Sequence, residues 1–153
     1  MVEIIDFRED KKEFIKTLNY EWLQKYFSIE PNDERVLNNP QTEIIDKGGM
    51  IFYALYNGEI AGTASLLKLD EDTYELGKMA TTKVVQGRGL GKRLMQHCIE
   101  AATLAGAKKI ILYSNTKLDA AIHLYKKFGF CEIPLTDAQY VRSNIKMEKI
   151  LSS

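Results

Sequence analysis

The sequence predicts an α/β (α+β) protein built on a mixed, mostly antiparallel seven-stranded sheet with helices on both faces. Three patterns indicate this fold class. Asn57-Gly58 separates two apolar segments as in a tight hairpin, and the glycine-rich stretch at 87–91 opens an amphipathic helix. The continuous apolar run KKIILYSN (108–115) is typical of a strand buried on both faces. Strand, helix and strand in this order predict a β-α-β unit with parallel strands.

The first third of the chain predicts one strand and two helices. VEIIDF (2–7) reads as a strand, and Asp10 with Glu13 predicts a cap for the helix that follows. The apolar positions of that helix recur every four residues and predict a core-facing stripe of Phe14, Leu18 and Trp22. Pro31 with Asp33 and Glu34 suits the start of a short second helix.

Residues 50–82 predict an antiparallel meander of three strands. MIFYALY and EIAGTASLLKLD flank the hairpin, and DEDT (70–73) turns the chain into YELGKMATT. Gly77, inside this third strand, indicates a bulge or the close approach of another backbone. Further on, TKLDAAIHLYKKFGF predicts a helix closed by Gly129, and FCEIP and VRSNIKMEKI predict the last two strands.

Length and composition indicate a single domain spanning residues 1–153. Apolar residues make up 45% of the chain, and 21 Lys and Arg balance 21 Asp and Glu. A net charge of zero provides no global field toward nucleic acid or membrane, so neither is expected as a partner. The charged first segment and the absence of any apolar run of about 18 residues predict a cytoplasmic protein.

Cysteine and histidine usage argues against a metal site. Cys98 and Cys131 are far apart and flanked by apolar residues, so both are predicted to be buried fillers. Only His97 and His123 are available as imidazole ligands, and neither has a cysteine at ligand spacing. No metal cofactor is expected.

The stretch QGRGLGK (86–92) is the candidate functional motif, because glycines that open a helix let backbone N–H groups approach an anion. Two common phosphate-binding patterns do not fit it. The P-loop requires a glycine where Gln86 stands and a Ser or Thr where Arg93 stands. The dinucleotide fingerprint requires a third glycine where Lys92 or Leu94 stands.

A third pattern, Q-x-x-G-x-G, is met by Gln86, Gly89 and Gly91, with a strand before it and the predicted helix 90–104 after it. Downstream, LYKKFGF (124–130) resembles a Leu-Tyr-x-x-x-Gly-Phe signature. With the order of elements along the whole chain, these motifs resemble the GNAT superfamily of N-acetyltransferases. The resemblance implies a GNAT-like acyl-CoA N-acyltransferase fold, with acetyl-CoA (coenzyme A) as co-substrate. It also implies direct transfer of the acetyl group to a primary amine in a ternary complex.

The resemblance also implies a set of cofactor contacts. Backbone N–H groups and local positive charge at the helix start are expected to bind the pyrophosphate, through Gln86, Gly87, Arg88, Gly89, Leu90, Gly91 and Lys92. The alternative is a plain glycine turn with a solvated cationic first turn. In the preceding strand, the backbone of Met79, Ala80 and Thr81 is expected to pair with the pantetheine arm. An N–H group near Met79 would polarise the thioester carbonyl.

Two side chains are expected to be catalytic by the same resemblance. Glu75 stands where some family members carry a catalytic glutamate, and is expected to take the amine proton directly or through water. Tyr125 resembles the family's general acid, which contacts the cofactor and donates to the departing sulfur. The alternatives are an exposed carboxylate for Glu75 and core packing for Tyr125. Because Leu118 stands at the family's usual asparagine position, Asn115 is expected to make that cofactor contact.

The acceptor amine is not identified by any motif. In the family it enters between the first two helices and the loop joining the last strands, here residues 19–46 and 135–142. Arg142 could hold an acceptor carboxylate bidentately, or could simply be solvated. A non-catalytic acyl-CoA sensor or regulatory module and a nucleotide-binding protein are the competing functions, and both monomer and homodimer stay open.

Overall fold

The computed structural model describes residues 1–85, 87–136 and 140–151. One seven-stranded sheet runs through it in the spatial order β1-β2-β3-β4-β5-β7-β6. All neighbouring strands are antiparallel except β4 and β5, which confirms the predicted mixed sheet and its β-α-β unit. The strands are β1 (Val2–Asp6), β2 (Met50–Tyr56), β3 (Glu59–Lys68), β4 (Thr73–Thr81), β5 (Lys109–Ser114), β6 (Cys131–Ile133) and β7 (Ile145–Ile150).

Four α-helices cover the two faces of the sheet. They are α1 (Glu13–Tyr26), α2 (Pro31–Asn38), α3 (Leu90–Leu104) and α4 (Asp119–Lys127). Strand β2 shows the division, because Ile51 and Tyr53 pack with residues of α1 and α2, whereas Phe52 and Ala54 pack with α3. The alternation of side chains along one strand thus builds two cores. None of the described helices has both the length and the apolar character needed to cross a bilayer.

The start of α1 differs from its prediction. Asp10 does not cap the helix, because both of its carboxylate oxygens accept hydrogen bonds from Arg8, at 3.1 and 2.8 Å. A short 3-10 turn precedes the helix, whose first residues lack a side-chain cap. The buried face also lies one residue further along than the predicted stripe, since Phe14 and Trp22 are partly exposed. The buried residues of α1 are Ile15, Leu18, Asn19 and Leu23.

The predicted turns form as the sequence indicates, and they fix the strand register. Asn57 and Gly58 both adopt positive φ, at 52° and 85°, which suits the tight hairpin between β2 and β3. Gly106 and Gly129 end α3 and α4 in the left-handed conformation. The prediction for Cys131 is wrong: Cys98 is buried, but Cys131 is exposed because β6 is an edge strand.

Strand β4 carries the bulge that Gly77 predicts. Ser65 of β3 lies opposite Gly77 and Thr63 lies opposite Ala80, so β4 has one extra residue in this interval. Lys78 takes up the bulge with φ of 50°, a left-handed conformation uncommon for a residue with a side chain. The bulge therefore redirects the second half of β4.

Strands β4 and β5 separate beside this bulge. Their parallel pairing covers only the interval from Thr73–Lys109 to Glu75–Ile111, although β4 continues to Thr81 and β5 to Ser114. The two strand edges therefore diverge inside the sheet. We call the space between them the β4–β5 split.

Candidate active site

A cavity of about 250 Å³ occupies the β4–β5 split. Its walls come from the second half of β4, the end of β5, α1, α4 and the segment 140–143 that precedes β7. Clefts where parallel strands part are common ligand sites in sheets of this kind. The cavity brings Glu75, Met79, Asn115 and Tyr125 to one place, and these four were among the predicted site residues.

The N-terminus of α3 opens with a left-handed glycine. Gly87 and Gly89 have φ of 85° and 81°, and a Cβ on either would meet no heavy atom within 4 Å. The first helical hydrogen bond runs from Arg93 N to Gly89 O at 3.1 Å. The N–H groups of residues 90–92 come before this bond, so they have no carbonyl partner within the helix. The N–H group of Arg88 is already used by the carbonyl of Val85 at 3.2 Å. Gln86 lies outside the described residues.

Gly91 connects this helix start to the cavity. A Cβ placed on Gly91 would lie 3.8 Å from Met79 Cε on β4 and 3.8 Å from Leu124 Cδ2 on α4. The side chains of Arg88 and Lys92 are exposed beside it. Helix donors, cationic side chains and the open edge of β4 thus lie on one continuous surface, as a long phosphorylated ligand would require.

Glu75 is a buried carboxylate and not the exposed one that the alternative reading required. Glu75 is 6% exposed, and it lines the cavity. A Cβ on Gly77 would lie 3.8 Å from Glu75 Oε2, which puts the carboxylate next to the bulge.

Tyr125 lines the cavity from α4, opposite β4. Burial raises the pKa of Tyr125 above its usual value of 10, although a hydrogen bond with the side chain of Ser114 acts in the opposite direction. Its ring meets Phe130 edge-on, with centroids 6.1 Å apart. The phenol therefore stays protonated and can donate a hydrogen bond throughout the neutral range.

Asn115 connects the end of β5 to the segment before β7. Its Nδ2 donates to the carbonyl oxygen of Arg142 at 2.6 Å, and its Oδ1 accepts from the N–H of Lys117 at 2.8 Å. Asn115 lines the cavity, but these bonds already use most of its amide. Its observed contacts are therefore with its own chain.

Arg142 matches neither interpretation of it from the sequence. Its side chain is 14% exposed, and its guanidinium binds Asp33 bidentately, at 2.7 and 2.8 Å. It also contacts Glu30 at 3.3 Å. The group proposed to hold an acceptor carboxylate is thus occupied by carboxylates of the chain itself.

These contacts belong to a buried charged group that we call the Asp33 cluster: Glu30, Asp33, Lys78, Tyr140 and Arg142. Lys78 Nζ donates to Asp33 at 2.9 Å and to the Tyr140 hydroxyl at 2.7 Å. Burial by itself would raise the pKa of Asp33, but hydrogen bonds from Arg142 and the charge of Lys78 hold it below its usual range. Sequence reasoning treated Asp33 only as part of a helix start and missed Lys78 altogether.

Asn19 is a second residue that the sequence did not single out. It is fully buried in α1, and its Nδ2 donates to Ile15 O at 2.8 Å and to Lys78 O at 3.0 Å. Trp22 Nε1 donates to its Oδ1 at 3.2 Å. Ser65 Oγ of β3 donates to Gly77 O at 2.8 Å. Two side chains therefore hold the bulge carbonyls in place.

Solved structures share this architecture. The acetyltransferase of GNAT family from Staphylococcus aureus Mu50 superposes with a TM-score of 0.89 at 24% identity, covering 99% of this chain and 100% of that one. The Salmonella typhimurium protein yncA, solved with its cofactor acetyl-CoA, gives a TM-score of 0.78 at 20% identity over 100% of this chain and 95% of that one. The fold is that of the GNAT acetyltransferases.

Sequence comparison leads to the same group. Residues 16–130 match the sequence model of the acetyltransferase (GNAT) family. The chain is 31% identical over 120 residues to the uncharacterized N-acetyltransferase YvbK of Bacillus subtilis (strain 168), covering 74% of this chain and 77% of YvbK. It is also 31% identical over 105 residues to YsnE of the same organism, covering 65% and 69%. The chain belongs to the GNAT family of acetyltransferases.

Proposed function

We propose that this protein is an N-acetyltransferase that moves the acetyl group of acetyl-CoA to a primary amine. The observation that carries the proposal is the convergence of Glu75 and Tyr125 on one cavity in the β4–β5 split. A buried carboxyl group and a neutral phenol that line the same cavity provide one group to accept a proton and one to donate a hydrogen bond. The proposal specifies the acceptor only as a primary amine.

The residues at the split fit acetyl-CoA, which supplies the acetyl group as an activated thioester when bound. The N–H groups of residues 90–92, with Gln86, Gly87, Arg88 and Gly89, would hold the pyrophosphate at the start of α3. The edge of β4 from Met79 to Thr81 would hold the pantetheine arm, because this edge is not paired with β5. One amide hydrogen of Asn115 is not used by Arg142 and would add a polar contact.

Proton handling follows from the ordinary chemistry of amines. An alkyl amine with a pKa of about 10.4 is almost wholly protonated at pH 7 and cannot attack. Glu75 would accept a proton from the bound ammonium, directly or through water, and a second proton leaves as the C–N bond forms and the C–S bond breaks. Tyr125 would donate a hydrogen bond to the departing sulfur, which takes up the second proton and leaves as the thiol, while the first proton passes from Glu75 to water.

The first experiment separates catalysis from mere binding. Calorimetry measures acetyl-CoA affinity, and release of free thiol is followed with a panel of amines. Amine-dependent release supports the transferase. Binding without release for any amine would instead support a sensor or regulatory module, and stabilisation by ATP or NAD but not by acetyl-CoA would support a nucleotide-binding protein.

The glycine-opened helix start can be tested with matched variants. Gly89→Val places a side chain on the outer side of the helix start, and we expect the acetyl-CoA Kd to rise about tenfold or more. Gly106→Val is the control, because Gly106 has a similar φ of 84° and equally open surroundings at the far end of α3. Both variants strain the backbone alike. Equal affinity in the two variants would refute the proposed pyrophosphate site.

A further inference from the structure

The half of the cavity formed by α1 and segment 140–143 lies across β4 from α3 and α4, and the acceptor would bind there. From its charges and its aromatic walls we infer that the acceptor is a small primary amine carried on an aromatic or otherwise apolar body, without a carboxylate. This inference rests on the proposed acetyltransferase function and adds the chemical class of its second substrate.

The charge balance disfavours an acidic acceptor. Lys78 and Arg142 are the two described cations that line the cavity, and each is already bound to Asp33. Asp33 and Glu30 hold these cations from outside the cavity lining, and Glu75 is the carboxylic acid among the described residues that line it. These side chains are mostly buried, so water and salt screen them little. A carboxylate on the acceptor would find both lining cations already paired with Asp33, whereas an ammonium group could bind the carboxyl group of Glu75.

The walls of this half are aromatic. Trp22 meets Phe27 edge-on with centroids 6.1 Å apart, and its indole N–H is held by Asn19, so the ring is fixed. The ring of Tyr140 covers both cations, with Lys78 Nζ at 4.4 Å and Arg142 Cζ at 4.2 Å from its centroid. Fixed rings of this kind bind an apolar or aromatic body and an adjoining cation.

The size of the cavity limits the acceptor. The same 250 Å³ must also hold the reacting end of the acyl donor. Pockets for drug-sized ligands begin at about 300 Å³, so an acceptor with a single ring fits better than a larger one. Tyr26 stands at the cavity wall with half of its surface exposed, and it would contact the body of such an amine.

The test compares acceptors that differ in one group. Initial rates of thiol release are measured with 2-phenylethylamine, phenylalanine, phenylalanine amide and ethanolamine. We expect kcat/KM for 2-phenylethylamine to exceed those for phenylalanine and ethanolamine by about tenfold or more. Phenylalanine amide has nearly the shape of phenylalanine but no carboxylate, and it should react faster than the acid. A preference for phenylalanine or for ethanolamine over 2-phenylethylamine overturns the inference.

Variants of α1 locate the acceptor independently. Tyr26→Ala should raise the KM for 2-phenylethylamine about fivefold or more while the KM for acetyl-CoA stays constant, and Tyr26→Phe should restore it. Phe14→Ala, on the same helix but outside this cavity, is the control and should change neither value. An unchanged amine KM in Tyr26→Ala would count against the assigned wall. If no amine of any class releases thiol, the proposed function itself fails.

Discussion

Among single residues, Asp33 organises most of the charge at the site. It is fully buried, and its carboxylate accepts hydrogen bonds from Arg142, Lys78 and the N–H of Glu30. These partners come from β4, from the start of α2 and from the segment before β7. One side chain thus joins three parts of the chain that lie far apart in sequence.

Replacing Asp33 with Asn should destabilise the protein by about 3 kcal/mol at pH 7, because it leaves two buried cations with fewer carboxylate partners. Urea unfolding measures this difference. Asp72→Asn is the control, since Asp72 is more than half exposed and lies 4.0 Å from Lys108, so little change is expected there. Equal stability of the Asp33 variant and the native chain would contradict the assigned role.

The same variant should change the pH dependence of stability. The pKa of Asp33 is lowered in the folded protein, so its contribution is complete above the unfolded value of about 3.9. The contribution is lost as the pH falls through the lower folded value. The gap in unfolding free energy between the native chain and Asp33→Asn should therefore be constant from pH 7 to 5 and shrink below pH 4. A gap that widens in acid would contradict this.

Tyr125 is the proposed hydrogen-bond donor to the departing sulfur. Tyr125→Phe should lower kcat about tenfold or more and leave acetyl-CoA affinity nearly unchanged. Because the pKa of Tyr125 is raised above 10, the native enzyme should lose no activity through this group below about pH 10. Tyr53→Phe removes another phenol hydroxyl, bonded to Lys11 O, from a residue that does not line the cavity, and it should lower stability without lowering kcat. Unchanged turnover in Tyr125→Phe would remove this residue from the mechanism.

At the scale of elements, the bulge of β4 determines how the strand edge meets the cavity. Asn19 of α1 and Ser65 of β3 hold the carbonyls of Lys78 and Gly77, respectively. We consider them positioning residues, because they act through the backbone of β4.

Removing either support should affect turnover more than acetyl-CoA binding. Ser65→Ala and Asn19→Leu should lower kcat, the second more strongly, while acetyl-CoA Kd changes little. Thr63→Val is a matched control on the same strand: Thr63 is equally buried and borders the same bulge, but its hydroxyl donates to Phe52 O on β2 at 3.0 Å and not to a carbonyl of β4. It should lose stability and keep kcat. If Thr63→Val lowers kcat as much as Ser65→Ala, the effect is general and the positioning role is wrong.

The elements differ in how far the sequence could predict them. Helix α3 runs from Leu90 to Leu104 as predicted, because left-handed glycines mark both of its ends. The buried stripe of α1 was misplaced, because a polar residue, Asn19, lies in the middle of its buried face and no hydrophobicity pattern indicates this. Cys131 was predicted to be buried, because apolar neighbours do not reveal an edge strand.

For the whole molecule, the family and the sheet could be predicted, but the charged part of the site could not. The motif at Gln86–Gly91 and the signature around Tyr125 are local in sequence and can be read from spacing. The Asp33 cluster joins positions 45 and 109 residues apart, through Lys78 and Arg142. Such pairings depend on where the start of α2 lies relative to β4 and the segment before β7, and this placement cannot be derived from sequence periodicity.

Because the β4–β5 pairing ends early, the two halves of the sheet are joined by a short interface. The N-terminal four strands and the C-terminal three are joined within the sheet by only three residue pairs, from Thr73–Lys109 to Glu75–Ile111. A ligand that hydrogen-bonds along the gap would act as a clasp between these halves. Ligand binding would then hold the two halves of the sheet together, and the free energy of unfolding would rise with the logarithm of ligand concentration.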